Sequence, residues 1–178
     1  MISSINSIYQ SQMSLSPIGM EFEPQNNIQL ISQQTIRSKL RCSVACNQLS
    51  SCRTFDYDSV SQRCRLFEGD STTGSIGSSP SPTSIVGTVR ISPPLYSSPH
   101  NQSCQSCQQT RYEVCSSNTS TCQCPMYSYW NGSLCALQLF ENDTCSQWNS
   151  CRIDLNLTCP IPDCDGVSKC TRRLSNSK

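Results

Sequence analysis

The chain has 178 residues, 15 of them cysteine, and its 13 Lys+Arg against 12 Asp+Glu leave a net charge of +1. No basic stripe marks a nucleic-acid surface, and no run of about 18 apolar residues marks a membrane span. Removing cysteine from the 35% apolar fraction leaves roughly 27%, too little for one large oily core, so covalent staples are expected to do part of that work.

In chain order, residues 1–20 are rich in Ser, Asn and Gln and read as a disordered tail. They lack the basic and apolar regions of a signal peptide. Disulfides persist in oxidising compartments, so the chain is expected to be a fragment of a secreted or cell-surface protein. Residues 21–92 hold four cysteines and most of the periodic apolar signal. NIQLI at 27–31 reads as a first strand. Ser38 is a candidate N-cap with Leu40 opening a helix, and Cys42, Ala45, Cys46 and Leu49 fall on one face of it. Two cysteines on one face can both bridge to a sheet beneath. TFDYD then alternates, with Phe55 and Tyr57 toward the core and Thr54, Asp56 and Asp58 away from it. RCRLF puts Cys64 and Leu66 on one face, Glu68 to Pro82 reads as a loop, and SIVGTVRI is a last strand with Ile85, Val89 and Ile91 on one face. The predicted unit is one helix on a small antiparallel sheet.

Cys42-x3-Cys46-x5-Cys52, Phe55-x-Tyr57 and Cys64-x-Leu66-Phe67 together resemble the PAN/apple module. The resemblance implies a helix pinned by Cys42–Cys64 and Cys46–Cys52, without the further end-to-end bridge that many apple modules carry. Closing the Cys42–Cys64 loop is worth roughly 3 kcal/mol by chain entropy.

Residues 93–103 read as an extended Pro/Ser linker. Beyond it, Cys104-x2-Cys107-x7-Cys115-x6-Cys122-x-Cys124-x10-Cys135 resembles an EGF-like module over 104–135. That resemblance implies Cys104–Cys115, Cys107–Cys122 and Cys124–Cys135, although six cysteines allow 15 pairings and spacing alone selects none. Tyr127 and Tyr129 followed by Asn131-Gly132 suit a terminal hairpin. The HNQS before Cys104 lacks the acidic ligands of calcium-binding relatives, so no calcium is expected. Cys145, Cys151, Cys159, Cys164 and Cys170 are five and cannot all pair among themselves. Residues 136–178 therefore look like a further EGF-like or EB-like module, cut short. A trypsin-inhibitor-like domain is a competing description of 104–170.

Five N-x-S/T sequons, at Asn101, Asn118, Asn131, Asn142 and Asn156, all lie in the cysteine-rich half and are candidate glycosylation sites. The pairs Cys104/Cys107 and Cys122/Cys124 invite a zinc reading, but the second is too tight and the cysteines too evenly spread. His100 is the single histidine and reads as a solvated linker residue, leaving no base for a nucleophile. No enzyme activity, cofactor or metal is expected. Asp56/Asp58, Glu68/Asp70 and Asp163/Asp165 read as strand-face and turn polarity. Arg53, Arg63 and Arg65 are candidates to line a binding face or else solvated strand positions. Trp130 and Trp148 either pack on disulfides or stand exposed as anchors. The sum is a small disulfide-rich α+β protein, an apple-like domain followed by short β-hairpin modules. By resemblance it is a non-catalytic extracellular binder of a protein or glycan. A regulatory fragment of a secreted protease and a protease inhibitor stand as alternatives.

Overall fold

A computed structural model describes residues 11–90, 94, 97–108, 111–160 and 168–173. The tail over 1–10, Ile91, Asp163, Cys164 and Asp165 lie outside the described residues. The first module contains β1 (Met13–Leu15), β2 (Met20–Pro24), β3 (Leu30–Thr35), α1 (Lys39–Gln48), β4 (Thr54–Asp58), β5 (Arg63–Phe67), β6 (Gly74–Ser78) and β7 (Ser84–Val89). Five strands form an antiparallel sheet in the order β1-β7-β4-β5-β3, while β2 and β6 form a separate ribbon. α1 covers one face of the sheet and the ribbon covers the other. The architecture is small, disulfide-rich and α+β, with one helix on an antiparallel sheet followed by short hairpins.

Ser38 caps α1 by accepting a hydrogen bond from the Arg41 amide at 3.3 Å. Cys42 and Cys46, one turn apart, are fully buried and bridge to Cys64 on β5 and to Cys52 before β4. Leu49 was expected on the same face, but the helix ends at Gln48 and Leu49 is 39% exposed. The helix-side core is Phe55, Tyr57, Leu66 and Val89 around these two disulfides.

β4 is buried along its whole length, where alternation predicted one wet face. The ribbon is the reason. Phe22 on β2 packs edge-on against Phe67, with ring centres 5.0 Å apart, and Val86 joins them. Asp56, expected to be solvated, is sealed between sheet and ribbon. There it pairs with Arg65, which also reaches Glu21 at 3.1 Å.

Two segments read as irregular carry that ribbon and the sheet edge. Residues 11–20 are not a loose tail: β1 pairs with β7, and β2, which begins at Met20, pairs with β6. The Glu68–Pro82 loop contains β6. Backbone pairing needs no apolar alternation, and Gly74 has no side chain because a Cβ there would lie 2.5 Å from the Phe22 ring. Likewise Asn27–Gln29 forms a 3-10 turn capped by Asn26, and the strand expected at 27–31 begins only at Leu30.

Of the segment read as an extended linker, the structure describes residue 94 and residues 97–103. Residues 97–103 turn back onto the following module: Pro99 is buried, and Asn101 donates its amide to the Cys122 carbonyl at 3.0 Å. That module contains hairpins β8 (Val114–Ser116)/β9 (Thr121–Gln123) and β10 (Ser128–Trp130)/β11 (Cys135–Leu137), with bridges Cys104–Cys115, Cys107–Cys122 and Cys124–Cys135. The last module pairs β12 (Thr144–Cys145) with β14 (Ser168–Lys169) and β13 (Leu157–Thr158) with β15 (Thr171–Arg172). Cys145–Cys159 and Cys151–Cys170 bind it together.

Two residues of the first module make sharp predictions. A Cβ on Gly87 would lie 2.1 Å from the Phe55 ring, so Gly87→Ala should cost about 1–3 kcal/mol in denaturant unfolding. Adding Phe55→Leu should recover part of that loss as a positive coupling. Asp58 accepts hydrogen bonds from Ser61, Thr83 and Ser81 side chains and from the Ser61 amide, which hold its carboxyl far below its ordinary 3.8 against the opposing effect of burial. A depressed carboxylate stabilises the fold above the unfolded-state value, and that stability is lost as pH falls below about 4. Asp58→Asn should therefore cost about 1–3 kcal/mol at neutral pH and flatten the acid limb of the stability curve.

Candidate functional site

Three buried arginines join the modules. Arg152, 2% exposed, comes from the last module and forms an ion pair with Glu68 of the first. It donates to Asp154 at 2.8 Å, and its guanidinium lies 4.0 Å from the centre of the Tyr127 ring and 5.4 Å from that of Phe140. Burial works against its charge, but Asp154 and Glu68 outweigh that and raise its pKa. Burial pushes Glu68 above the usual carboxylate range although Arg152 pulls it back. Arg111 of the second module reaches Leu49 and Cys52 carbonyl oxygens and the Asn47 side chain in the first. Arg53 of the first module donates to the Cys135 carbonyl at 3.0 Å. A cation buried with carbonyl and carboxylate partners resists sliding, because any displacement strands a charge out of water.

These contacts correct several readings. Arg53 is buried at a joint and Arg65 is enclosed against Asp56 and Glu21. Arg63, part-buried, reaches Glu21 at 3.4 Å. The three therefore do not line a common exposed face. Glu68 is a buried ion-pair partner rather than turn polarity. His100 is not a solvated linker residue. Its Nδ1 lies 2.6 Å from Glu113 Oε1, and its ring stacks on Trp130 with centres 3.8 Å apart. Trp130 packs beside Cys135 and Cys124, whereas Trp148 is 71% exposed. The sequence marked Arg53 only as a candidate for a binding face or a solvated strand position, and nothing in the spacing of Arg111 or Arg152 marked them. Each sits beside a cysteine or an aromatic, a weak signal at best.

Two sets of side chains approach closely enough to hold a metal, namely Cys145/Cys151/Cys159 and His100/Glu113/Cys124. Every cysteine in them is in a disulfide, so none offers a thiolate as a zinc ligand, and the second set is left with His100 and Glu113 alone.

Between β7 and the turn at Asp70–Thr72 on one side, and hairpin β10/β11 on the other, lies an open cleft of about 540 Å³. Val89 and Leu134 make its apolar walls, while Arg53, Thr72 and Tyr129 supply polar groups and Asn131 stands on it. Burial raises the pKa of Tyr129, so its hydroxyl stays protonated and able to donate. The volume lies within the range of small-ligand sites, roughly 300–1,000 Å³.

All five sequon asparagines, Asn101, Asn118, Asn131, Asn142 and Asn156, are exposed. Asn101, Asn142 and Asn156 sit at positive φ in turns. The other prominent exposed feature is the outer face of α1. Arg37, Lys39 and Arg41 are exposed around its N-terminus beside Leu40, 72% exposed, and Val44, 45% exposed. The first turn contains no acidic residue, and among the described residues no carboxylate pairs with these three cations. Cations at the positive end of a helix dipole oppose helix formation by about 0.3–1 kcal/mol each. The cluster thus does nothing for the helix that bears it.

Comparison with known proteins gives one family. The model of the PAN domain matches residues 23–89, which run from the end of β2 through β7. No curated protein matches the chain. The PAN domain is a protein- or carbohydrate-binding type of module and generally not a catalytic one, and PAN domains with many disulfides are typical of extracellular proteins.

The joint is directly testable. Arg152→Met leaves Glu68 buried without its partner and should cost about 3–5 kcal/mol in urea unfolding. The double variant Arg152→Met with Glu68→Gln should lose less than the single one, because the stranded charge is gone.

Proposed function

We propose that this chain is a non-catalytic extracellular recognition protein that binds an anionic glycan or an acidic protein surface through the outer face of α1. The observation that carries the reading is the cluster Arg37, Lys39 and Arg41, without a carboxylate partner among the described residues and set beside exposed Leu40 and Val44 on a PAN-type module. Cations that oppose their own helix become favourable once an anion sits against them, because the anion meets the side-chain charges and the helix dipole together. The apolar neighbours add contact area without charge repulsion. The disulfide-fixed scaffold presents this face already ordered, which lowers the entropy lost on association. Residues 104–135, as an EGF-like module, and 136–178, as a shorter cysteine-rich one, act in this reading as a rigid platform. Seven bridges among the described residues of a chain of this size support an oxidising, extracellular location.

The test uses the full chain secreted from a eukaryotic host behind a supplied signal peptide. The wild type should bind immobilised heparin, a densely sulfated glycan, and elute as salt rises. The triple variant Arg37→Gln, Lys39→Gln, Arg41→Gln should bind at least about tenfold more weakly, with an unchanged circular dichroism spectrum and a shallower salt dependence. Equal retention of variant and wild type would remove α1 as the binding face. No retention of either, on heparin or on an acidic peptide, would remove the anionic ligand.

A further inference from the structure

The sequon Asn131-Gly132-Ser133 differs from the other four in its surroundings. Asn131 is exposed, yet it also lines the cleft between the first and second modules, which none of the other sequon asparagines does. Its side chain is already oriented. Asn131 Oδ1 accepts hydrogen bonds from the Ser133 amide at 3.0 Å, the Ser133 hydroxyl at 3.2 Å and the Leu134 amide at 3.0 Å. The carbonyl is thereby tied into the turn. Among the described residues the amide nitrogen has no hydrogen-bond partner, so a substituent on it displaces nothing. Gly132, at φ +102°, has open space where a Cβ would stand, so the turn is uncrowded on that side.

The cleft has the chemistry of a sugar surface. A pyranose presents apolar C–H patches and a rim of hydroxyls. The lining of the cleft combines apolar Leu134 and Val89 with aromatic Tyr129 and polar Arg53 and Thr72. We propose that Asn131 carries an N-linked glycan whose first sugars lie in this cleft, bracing hairpin β10/β11 against the Asp70–Thr72 turn. The occupant is part of the glycosylated chain itself and not an outside ligand. In forming it, the Asn131 amide nitrogen attacks C1 of a lipid-pyrophosphate-linked oligosaccharide. The new bond is N–C1, the broken bond is C1–O of the phosphate, the lipid pyrophosphate leaves, and the nitrogen gives up one proton. Transfer occurs on the nascent chain, and folding then brings the cleft to the sugar. The inference rests on passage through the secretory pathway, shared with the extracellular reading above. It does not depend on what α1 binds.

The experiment is glycopeptide mass spectrometry of the eukaryotically secreted full chain. It is followed by hydrogen exchange before and after an endoglycosidase trims the folded protein's glycans to a single sugar. Asn131 should be occupied, and trimming should raise exchange at 70–73 and 134–137 by about five- to tenfold. Asn131→Gln should have the same effect, while Asn118→Gln, in the turn between β8 and β9 and away from the cleft, should leave those segments unchanged. Trimming acts on protein that has already folded, so a folding defect in the variant cannot mimic the result. Asn118 occupied with Asn131 empty would overturn this inference and leave the extracellular reading standing. An occupied Asn131 with no change in exchange at the cleft would also overturn it. Free thiols and no occupied sequon would overturn both.

Discussion

Arg152 is the residue on which the arrangement of this protein turns. It belongs to the last module, pairs with Glu68 in the first and lies over Tyr127 of the second. Removing a guanidinium from water is expensive, and the expense is met only if carboxylate partners and aromatic faces stand in the right places at once. Each module supplies one of those pieces. Arg111 and Arg53 repeat the logic on a smaller scale, using backbone carbonyls near Cys52 and Cys135 that the disulfides hold still. Polar joints of this kind tolerate little slippage, because a displaced guanidinium loses its partners while still out of water.

That rigidity is built on little apolar material. The core around Phe55 and Leu66 and that around Phe22 and Phe67 are each only a few residues across. The last module has Leu157 and its disulfides. Burial on this scale does not offset the conformational entropy of so many ordered residues. Cross-links shrink the unfolded ensemble instead, and buried ion pairs set how the parts meet. The cysteines are therefore core residues as well as bonds: Cys42, Cys46, Cys52 and Cys64 are each completely buried.

The division between inside and outside follows from the same economy. Arg53, Arg65, Arg111 and Arg152 are consumed in holding the structure together. Arg37, Lys39 and Arg41 are not, and they stand where the helix dipole least favours them. Four of the 13 cations are thus used inside the scaffold, and the cluster at α1 is left facing solvent, where the proposed reading places recognition. The asparagines of the sequons lie on the exposed turns of the cysteine-rich half, away from α1 in sequence.

Read alone, the sequence determined the local features of the first module. The Ser38 cap, the one-turn spacing of Cys42 and Cys46, and the alternation of Phe55 and Tyr57 depend on neighbours a few residues away, and such signals survive without tertiary context. It also determined that cysteine would have to substitute for a large core. It did not reveal β1 or β6, whose polar and glycine-rich stretches gain their order from strands about seventy and fifty residues distant in the chain. Nor did it reveal that Asp56 would be buried and His100 half-buried, that residues 97–103 would fold back, or which cations would be enclosed. Those outcomes rest on long-range pairing of polar groups. A charged residue reads as solvated until the fold brings it a partner, and only the tertiary structure decides where the partner is.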